Sequence, residues 1–135
     1  MSRKKILILG CGNIGSRHLQ ALTNLPYDLE IGIIEPNEDS KKNAKTKLID
    51  SNYNSKKHKI IWYDKINEDV KSYNLAIIAT PSVGRVKNII KLLELGISKF
   101  LIEKIVCQSN LEYELLLNTL EKFNAKSWIN VNMRY

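Results

Sequence analysis

The sequence predicts an α/β fold, a doubly wound three-layer sandwich around a mostly parallel six-stranded sheet. Short apolar runs alternate with helical patterns along all 135 residues. The first apolar run leads directly into the glycine-rich string Gly10-Cys11-Gly12-Asn13-Ile14-Gly15. An acidic residue, Glu35, ends the second apolar run. These observations together favour strand order 3-2-1-4-5-6 with right-handed crossovers.

The first half of the chain alternates strands and helices. Residues 5–9 form an apolar run, as expected for a parallel strand covered on both faces, and residues 29–35 and 59–63 are predicted to form the second and third strands. The first helix is predicted from residues at helical spacing and stops at Pro26: Ile14, His18, Ala21, Leu22 and Leu25. Asn37 is predicted to cap a lysine-rich helix that runs to about residue 48, and a polar loop follows.

The second half repeats the pattern. A short helical turn is predicted at residues 66–71, and strands at 75–79, 99–103 and 127–133. Ser82 is predicted to cap the third main helix and Gly96 to end it, with these apolar positions: Val83, Val86, Ile89, Ile90 and Leu93. Residues 109–112 indicate a capping box for the last helix, which is predicted to bury Leu111, Leu115, Leu116, Leu120 and Phe123.

The glycine string predicts a phosphate-binding turn. Gly10 allows a tight turn, Gly12 lets a pyrophosphate approach the backbone, and Gly15 lets the helix lie close to the sheet. Asn13 and Ile14 open that helix, whose free N–H groups and positive dipole end would face the phosphates. The alternative is a glycine-rich turn that binds no ligand.

Glu35 is a candidate ligand for the adenosine ribose, because a carboxylate at this point accepts hydrogen bonds from the hydroxyls. The same charge would repel a 2′-phosphate, which favours NAD over NADP. Lys41 and Lys42 keep NADP as the alternative cofactor, unless they lie on a solvated helix face.

Several candidate site residues follow predicted strands. Besides the glycine string and Glu35 they are Thr80-Pro81 and Glu103-Lys104. In a doubly wound sheet, ligands lie outside the carboxyl ends of the strands, where the winding reverses. These residues are therefore expected to meet across the ends of strands one and four.

Composition excludes several classes of function. The net charge of +7 is mostly lysine, without the arginine forks and interleaved aromatics of nucleic-acid binding, so no nucleic-acid partner is expected. No apolar run is long enough for a bilayer span, and no signal peptide is recognisable, so a cytoplasmic protein without a membrane partner is expected. Cys11 and Cys107 are far apart, which argues against a disulfide framework or a metal site.

Four strings, GCGNIGSRH, ATPS, LIEK and VNMRY, in this order and spacing, resemble the N-terminal NAD(P)-binding Rossmann domain of the glucose–fructose oxidoreductase, inositol dehydrogenase and MocA-like family. The resemblance covers essentially the whole chain. It implies hydride transfer between a nicotinamide cofactor and a sugar, inositol or nucleotide sugar. It also implies cofactor contacts at Ala79, Thr80, Pro81 and Glu103, and a catalytic role near the nicotinamide for Lys104.

The chain departs from the family pattern at Ile105, which stands where the family has a proline, and at Arg85, where a histidine is usual. Family members are more than twice as long, and their second domain supplies most of the substrate site. Residues 1–135 are therefore interpreted as a dinucleotide-binding domain, truncated before that domain and inactive alone. The alternative is a non-catalytic dinucleotide-binding sensor. The uncovered substrate face suggests self-association, as a homo-oligomer.

The roles of His18, Cys11, Arg85 and the last strand are expected as follows. His18 is expected to be a packed or hydrogen-bonded core histidine rather than a catalytic one. Cys11 is expected to fill a small space, with a reactive thiol of lowered pKa at the helix N-terminus as the alternative. Arg85 would meet a phosphate or carboxylate near the cofactor, or lie on the surface. The last strand is assigned to packing and the domain junction through Trp128, Asn130, Asn132 and Arg134.

Overall fold

The computed structural model describes residues 3–130. Six strands and four α-helices follow one another with one short 3₁₀ helix, Glu68–Val70. The strands are β1 (Lys4–Leu9), β2 (Leu29–Ile34), β3 (His58–Tyr63), β4 (Leu75–Ile78), β5 (Lys99–Glu103) and β6 (Lys126–Asn130). The helices are α1 (Asn13–Thr23), α2 (Glu38–Asp50), α3 (Arg85–Glu94) and α4 (Asn110–Lys122). The rest of the predicted last strand, residues 131–133, lies outside the described residues, as does Arg134.

The sheet has the predicted order, β3-β2-β1-β4-β5-β6, and every neighbouring pair is parallel. The winding reverses between β1 and β4 at the centre of the sheet. A doubly wound sheet opens a crevice at that point, beyond the carboxyl ends of the strands. The expected α/β Rossmann architecture is therefore confirmed.

Two apolar cores hold the three layers together. On one face of the sheet, Leu7 and Phe100 belong to a buried cluster with residues of α3 and α4. On the other face, Ile8 and Ile31 belong to a cluster with residues of α1 and α2. Leu7 and Ile8 separate in this way because successive strand residues point to opposite faces. Burying each such side chain contributes roughly 1.5–3 kcal/mol.

Helix ends follow local sequence signals in three places. Asn37 caps α2, because its Oδ1 accepts a hydrogen bond from Ser40 N at 2.9 Å. Ser109 caps α4 by accepting from Glu112 N at 3.2 Å, while Glu112 Oε1 accepts from the N–H of Gln108 rather than from that of the cap residue. Gly96, with φ of +99°, directly follows Leu95, the cap residue at the carboxyl end of α3.

The predicted start of α3 is wrong. The cap residue is Gly84, with φ of +75°, and α3 begins at Arg85. This left-handed conformation separates Ser82 and Val83 from the helix, so Val83 is 75% exposed. The Ser82 side chain accepts a hydrogen bond from Gln108 Nε2 instead of capping α3.

The apolar residues whose spacing predicts α1 do not mark its buried face. This helix buries Gly15, Ser16, Leu19 and Thr23, whereas Ile14 and Leu25 are exposed. A helix that lies close to a sheet needs small residues at the contact, so its apolar residues alone do not identify the inner face.

Only part of the predicted face of α4 is buried. Leu116 and Leu120 lie in the core, whereas Leu111, Leu115 and Phe123 are exposed. The helix contacts the rest of the domain along a narrow stripe, mainly against α3.

Within residues 3–130, no helix combines the length and apolar character required to cross a membrane.

Candidate functional site

A cavity of about 910 Å³ lies at the carboxyl ends of the strands. This volume is at the upper end of the range typical of small-molecule and cofactor sites. The predicted site residues that line it are Gly10, Gly12, Asn13, Ile14, Glu35, Ala79, Thr80, Pro81, Glu103 and Lys104. Gly15 does not line the cavity. The topology therefore brings together segments that are far apart in sequence.

The three glycines of the loop have different surroundings. A Cβ at Gly10, which has φ of +90°, would lie 2.8 Å from Thr80 N, and a Cβ at Gly15 would lie 2.0 Å from the carbonyl oxygen of Gly10. Both positions are too close to backbone for any side chain. A Cβ at Gly12 would meet no atom within 4 Å. Gly10 and Gly15 thus fix the turn, while Gly12 leaves open space beside the cavity.

The N-terminus of α1 faces this cavity with its backbone donors uncapped. Gly12 is the cap residue and supplies no side-chain hydrogen bond, and the first turn holds no acidic residue. The first N–H groups of a helix have no partner within the helix, and they carry the positive end of its dipole. This end of α1 can therefore receive an anion.

Glu35 lies beside the glycine loop, one strand away. Its carboxylate is held by two backbone donors: Oε1 accepts from Cys11 N at 2.7 Å, and Oε2 accepts from Asn37 N at 3.0 Å. The residue is buried, yet it borders the cavity. Because each carboxylate oxygen can accept a second hydrogen bond, Glu35 retains acceptor capacity for ligand hydroxyls.

Cys11 is a packing residue. It is fully buried within the core between the sheet and α1 and α2. Burial raises the pKa of its thiol to about 11. The alternative of a reactive thiol with lowered pKa is therefore wrong, because burial outweighs the nearby helix N-terminus.

Lys41 does not lie on a solvated helix face, contrary to one sequence-based interpretation. Its side chain is 11% exposed, and its Nζ lies 2.7 Å from Asp64 Oδ1 and 3.4 Å from Glu38 Oε1. The hydrogen bond to Asp64 raises the pKa of Lys41 and lowers that of Asp64. Asp64 and Lys65 also line the cavity and were missed by the sequence reasoning, although both directly follow β3.

Arg85 is buried, so the surface alternative for this residue is wrong. Its Nη1 donates to the carbonyl oxygens of Glu103 and Ile105, each at 2.5 Å, and its Nη2 donates to the carbonyl oxygen of Thr80. Burial lowers the pKa of the guanidinium, which nevertheless remains charged at neutral pH. Rather than a phosphate or carboxylate, Arg85 binds the backbone on both sides of Lys104.

Glu103 connects three elements at the edge of the cavity. Its Oε1 accepts from Asn130 Nδ2 at 2.7 Å and lies 2.5 Å from His18 Nε2. The expectation of a hydrogen-bonded core histidine is thus confirmed. These contacts join β5 to α1 and β6 beside the position of Lys104.

Lys104 is exposed and borders the cavity, directly after β5. The peptide bond between Lys104 and Ile105 is cis, and Ile105 is exposed. After β4, the strand next to β5, the buried Oγ1 of Thr80 has no hydrogen-bond partner among residues 3–130. The described part of the chain shows no cluster of three metal-ligating side chains.

The chain matches a known protein family. The model of the oxidoreductase family with an NAD-binding Rossmann fold, GFO/IDH/MocA, matches residues 4–131. The family is NAD-binding, so NAD, the cofactor expected from the sequence, is confirmed at the level of the family. A search of curated protein sequences gave no match.

Solved structures share the fold. The WlbA dehydrogenase of Chromobacterium violaceum, solved with NADH and UDP-GlcNAcA, aligns over 95% of this chain with a TM-score of 0.75 and 16% identity. The scyllo-inositol dehydrogenase of Lactobacillus casei, solved with NAD(H) and scyllo-inositol, aligns over 96% with a TM-score of 0.72 and 17% identity. A Gfo/Idh/MocA family oxidoreductase of Vibrio cholerae aligns over 94% with a TM-score of 0.71 and 20% identity.

The aligned region is a minor part of each of these proteins. It covers 35%, 36% and 38% of the three chains respectively. The chain thus spans little more than a third of the length of its solved structural neighbours.

Proposed function

This chain belongs to the Gfo/Idh/MocA oxidoreductase family, and from that premise we propose that residues 1–135 form its dinucleotide-binding domain. In the intact protein, hydride would pass between NAD and a sugar, inositol or nucleotide-sugar substrate. One observation carries the proposal: the uncapped N-terminus of α1, the open position at Gly12 and the Glu35 carboxylate border a single cavity.

The residues of this cavity fit a dinucleotide. The backbone of Gly10, Gly12, Asn13 and Ile14 would hold the pyrophosphate, since no Cβ at Gly12 blocks its approach. Glu35 would accept hydrogen bonds from the adenosine ribose. Gly15 acts indirectly, because its lack of a side chain keeps α1 close to the turn.

The nicotinamide half would lie against the residues that follow β4 and β5. Ala79, Thr80 and Pro81 border this side of the cavity. Glu103 would keep this end in place through its contacts with His18 and Asn130.

When bound, the nicotinamide supplies the hydride acceptor or donor. Lys104 is the proposed catalytic residue: its Nζ would donate a hydrogen bond to the substrate oxygen and help move its proton. The contacts of Arg85 with the carbonyls of Glu103 and Ile105 hold the backbone from which Lys104 extends.

The charges near the ribose favour NAD over NADP. Glu35 would repel a 2′-phosphate, and Lys41 is paired with Asp64 and Glu38. NADP remains the alternative cofactor, with Lys42 and the cavity-lining Lys65 as candidate cations.

The substrate class is proposed from the family and from the inositol and UDP-sugar named for two of the structural neighbours. Because the chain spans little more than a third of these neighbours, we propose that it binds cofactor without turnover. The exposed Trp128 and Ile129 favour self-association of the isolated domain, a proposal that sedimentation velocity tests.

A non-catalytic dinucleotide-binding module is the second candidate. It is favoured by Arg85, which occupies a position where the family usually has a histidine and donates all three of its observed hydrogen bonds to backbone carbonyls. In contrast to a histidine, this guanidinium cannot act as a general acid or general base. Both candidates predict cofactor binding, and they differ in the activity of the intact protein.

Titration of the chain with NADH, followed by nicotinamide fluorescence, tests the proposal. We expect saturable binding, which Glu35→Ala weakens about tenfold, as for the loss of one charge-assisted hydrogen bond. Absence of NADH binding would overturn the proposal. Turnover of inositols or sugars by the 135-residue chain would contradict the expected inactivity, and an inactive full-length protein that still binds NADH would favour the sensor.

A further inference from the structure

The side of the cavity next to Glu35 carries a second carboxylate. Asp64 directly follows β3, and Glu35 directly follows β2, the neighbouring strand. The backbone N–H of Glu35 donates to the carbonyl oxygen of Tyr63, at 3.0 Å, so the two strand ends are held together. Both acidic residues line the cavity.

Lys41 is the cation held by this second carboxylate. It lies in the first half of α2, and its Nζ is 2.7 Å from Asp64 Oδ1. Its side chain is 11% exposed, whereas that of Asp64 is 79% exposed. The lysine is therefore confined, and its charge is directed towards Asp64, with Glu38 at 3.4 Å as a weaker second partner.

We propose that Asp64 is a cofactor-specificity residue that withholds Lys41 from the 2′ position of the adenosine ribose. This inference rests on the proposed function, because it assumes that Glu35 marks the ribose. Asp64 disfavours a 2′-phosphate in two ways: it adds a negative charge beside Glu35, and it occupies the ammonium group that would otherwise pair with a phosphate.

Cofactor selectivity is a difference in binding free energy between two ligands. NADH and NADPH differ by one phosphate, so groups near the 2′ position have the largest effect on their ratio of affinities. The Lys41 ammonium has three N–H donors, of which Asp64 at 2.7 Å and Glu38 at 3.4 Å take two, and these carboxylates also neutralise its charge, so a phosphate would gain little from it. Without the Asp64 charge, the same lysine becomes available to the phosphate as a point-charge donor.

The test compares the dissociation constants of NADH and NADPH for the full 135-residue chain and its variants, measured by calorimetry at low salt. We expect wild type to prefer NADH. Asp64→Asn should shift the ratio towards NADPH by about tenfold, the scale of one charge-assisted hydrogen bond. Adding Lys41→Met to Asp64→Asn should remove most of that gain.

Glu68→Gln is the matched control. It makes the same change of charge, and Glu68 is paired with Lys71 at 3.8 Å with both side chains exposed. Neither residue lines the cavity. This variant should leave the ratio of affinities unchanged, so a shift that depends on net charge alone would be recognised.

The outcomes distinguish failure of the specificity role from failure of the proposed function. If wild type binds NADH and Asp64→Asn leaves the ratio unchanged, the specificity role is wrong while the proposed function stands. A gain that persists in the Asp64→Asn/Lys41→Met variant, or that also appears in Glu68→Gln, overturns the role of Lys41. Binding of neither nucleotide by wild type overturns both proposals.

Discussion

Gly12 and Gly15 are three residues apart, and the lack of a side chain has a different role at each position. A Cβ at Gly15 would lie 2.0 Å from the carbonyl oxygen of Gly10, whereas one at Gly12 would enter open space. One glycine therefore serves the fold, and the other leaves room for a ligand. This distinction depends on where each Cβ would point, which the spacing of glycines alone does not reveal.

Substitution of these two glycines should separate stability from binding. Gly15→Ala should destabilise the domain by about 3 kcal/mol, because backbone has to move. Gly12→Val should change stability by no more than about 1 kcal/mol, since only a helix cap position is altered, yet weaken NADH binding at least tenfold. Urea unfolding and NADH titration measure the two effects. Full NADH affinity in Gly12→Val would refute the proposed phosphate approach.

Arg85 should matter for stability as well as for the site. Replacement by Met leaves the carbonyl oxygens of Thr80, Glu103 and Ile105 without their donor, which we expect to cost about 3 kcal/mol. The control is Lys87→Met, an exposed residue of the same helix, which should change stability by less than about 0.5 kcal/mol. Equal melting temperatures for the two variants would show that the Arg85 contacts contribute little.

At the scale of elements, the apolar pattern of α4 predicts only part of the structure that forms. Its leucines predict a helix correctly, but they occupy more than one face, so they do not identify the buried one. Leu116 is 2% exposed and Leu115 is 52% exposed, although they are adjacent in the chain. Contact with α3 selects the inner stripe, and that contact is a tertiary property.

The two adjacent leucines give a matched pair of variants. Leu116→Ala should reduce the free energy of unfolding by about 3 kcal/mol, since it removes buried methyl groups and leaves a cavity. Leu115→Ala should reduce it by no more than about 0.5 kcal/mol. Chemical denaturation of both variants measures the difference, and similar losses would mean that the described face of α4 is not the buried one.

The start of β3 should make the domain sensitive to acid. His58 is 1% exposed, and burial lowers its pKa below the ordinary value. The unfolded chain, with an ordinary histidine pKa of about 6.5, then binds the proton more tightly than the folded one. Stability is therefore complete above about pH 6.5 and falls as the pH decreases towards the folded-state pKa, by at most about 1.4 kcal/mol per pH unit.

Denaturation of wild type and His58→Leu between pH 7.5 and 5.5 measures this contribution. The variant cannot take up the proton, so its stability should depend less on pH than that of wild type. Parallel pH profiles would assign the acid sensitivity to other groups.

At the scale of the whole molecule, the site is a product of topology. Its residues follow five different strands, and the parallel sheet brings those strand ends to one edge. This convergence could be predicted from the sequence, because alternating strands and helices with a glycine-rich first turn limit the fold to a doubly wound sheet.

Two contacts of the site could not be predicted in this way. Arg85 reaches backbone oxygens after β4 and β5, and Lys41 pairs with Asp64, 23 residues further along the chain. Both depend on the direction of a long side chain between packed elements. The sequence shows that a lysine or arginine is present, but it does not indicate which group the side chain contacts.

The most direct test of the account is the mapping of NAD onto the domain by amide chemical shifts in a ¹⁵N-labelled sample. Backbone N–H groups of residues 10–15 and of Glu35 should show the largest saturable changes, followed by those of Ala79, Thr80, Glu103 and Lys104. Changes centred on the opposite edge of the sheet, around Lys4 and His58, or no changes at millimolar NAD, would contradict the assignment of the cavity to the cofactor.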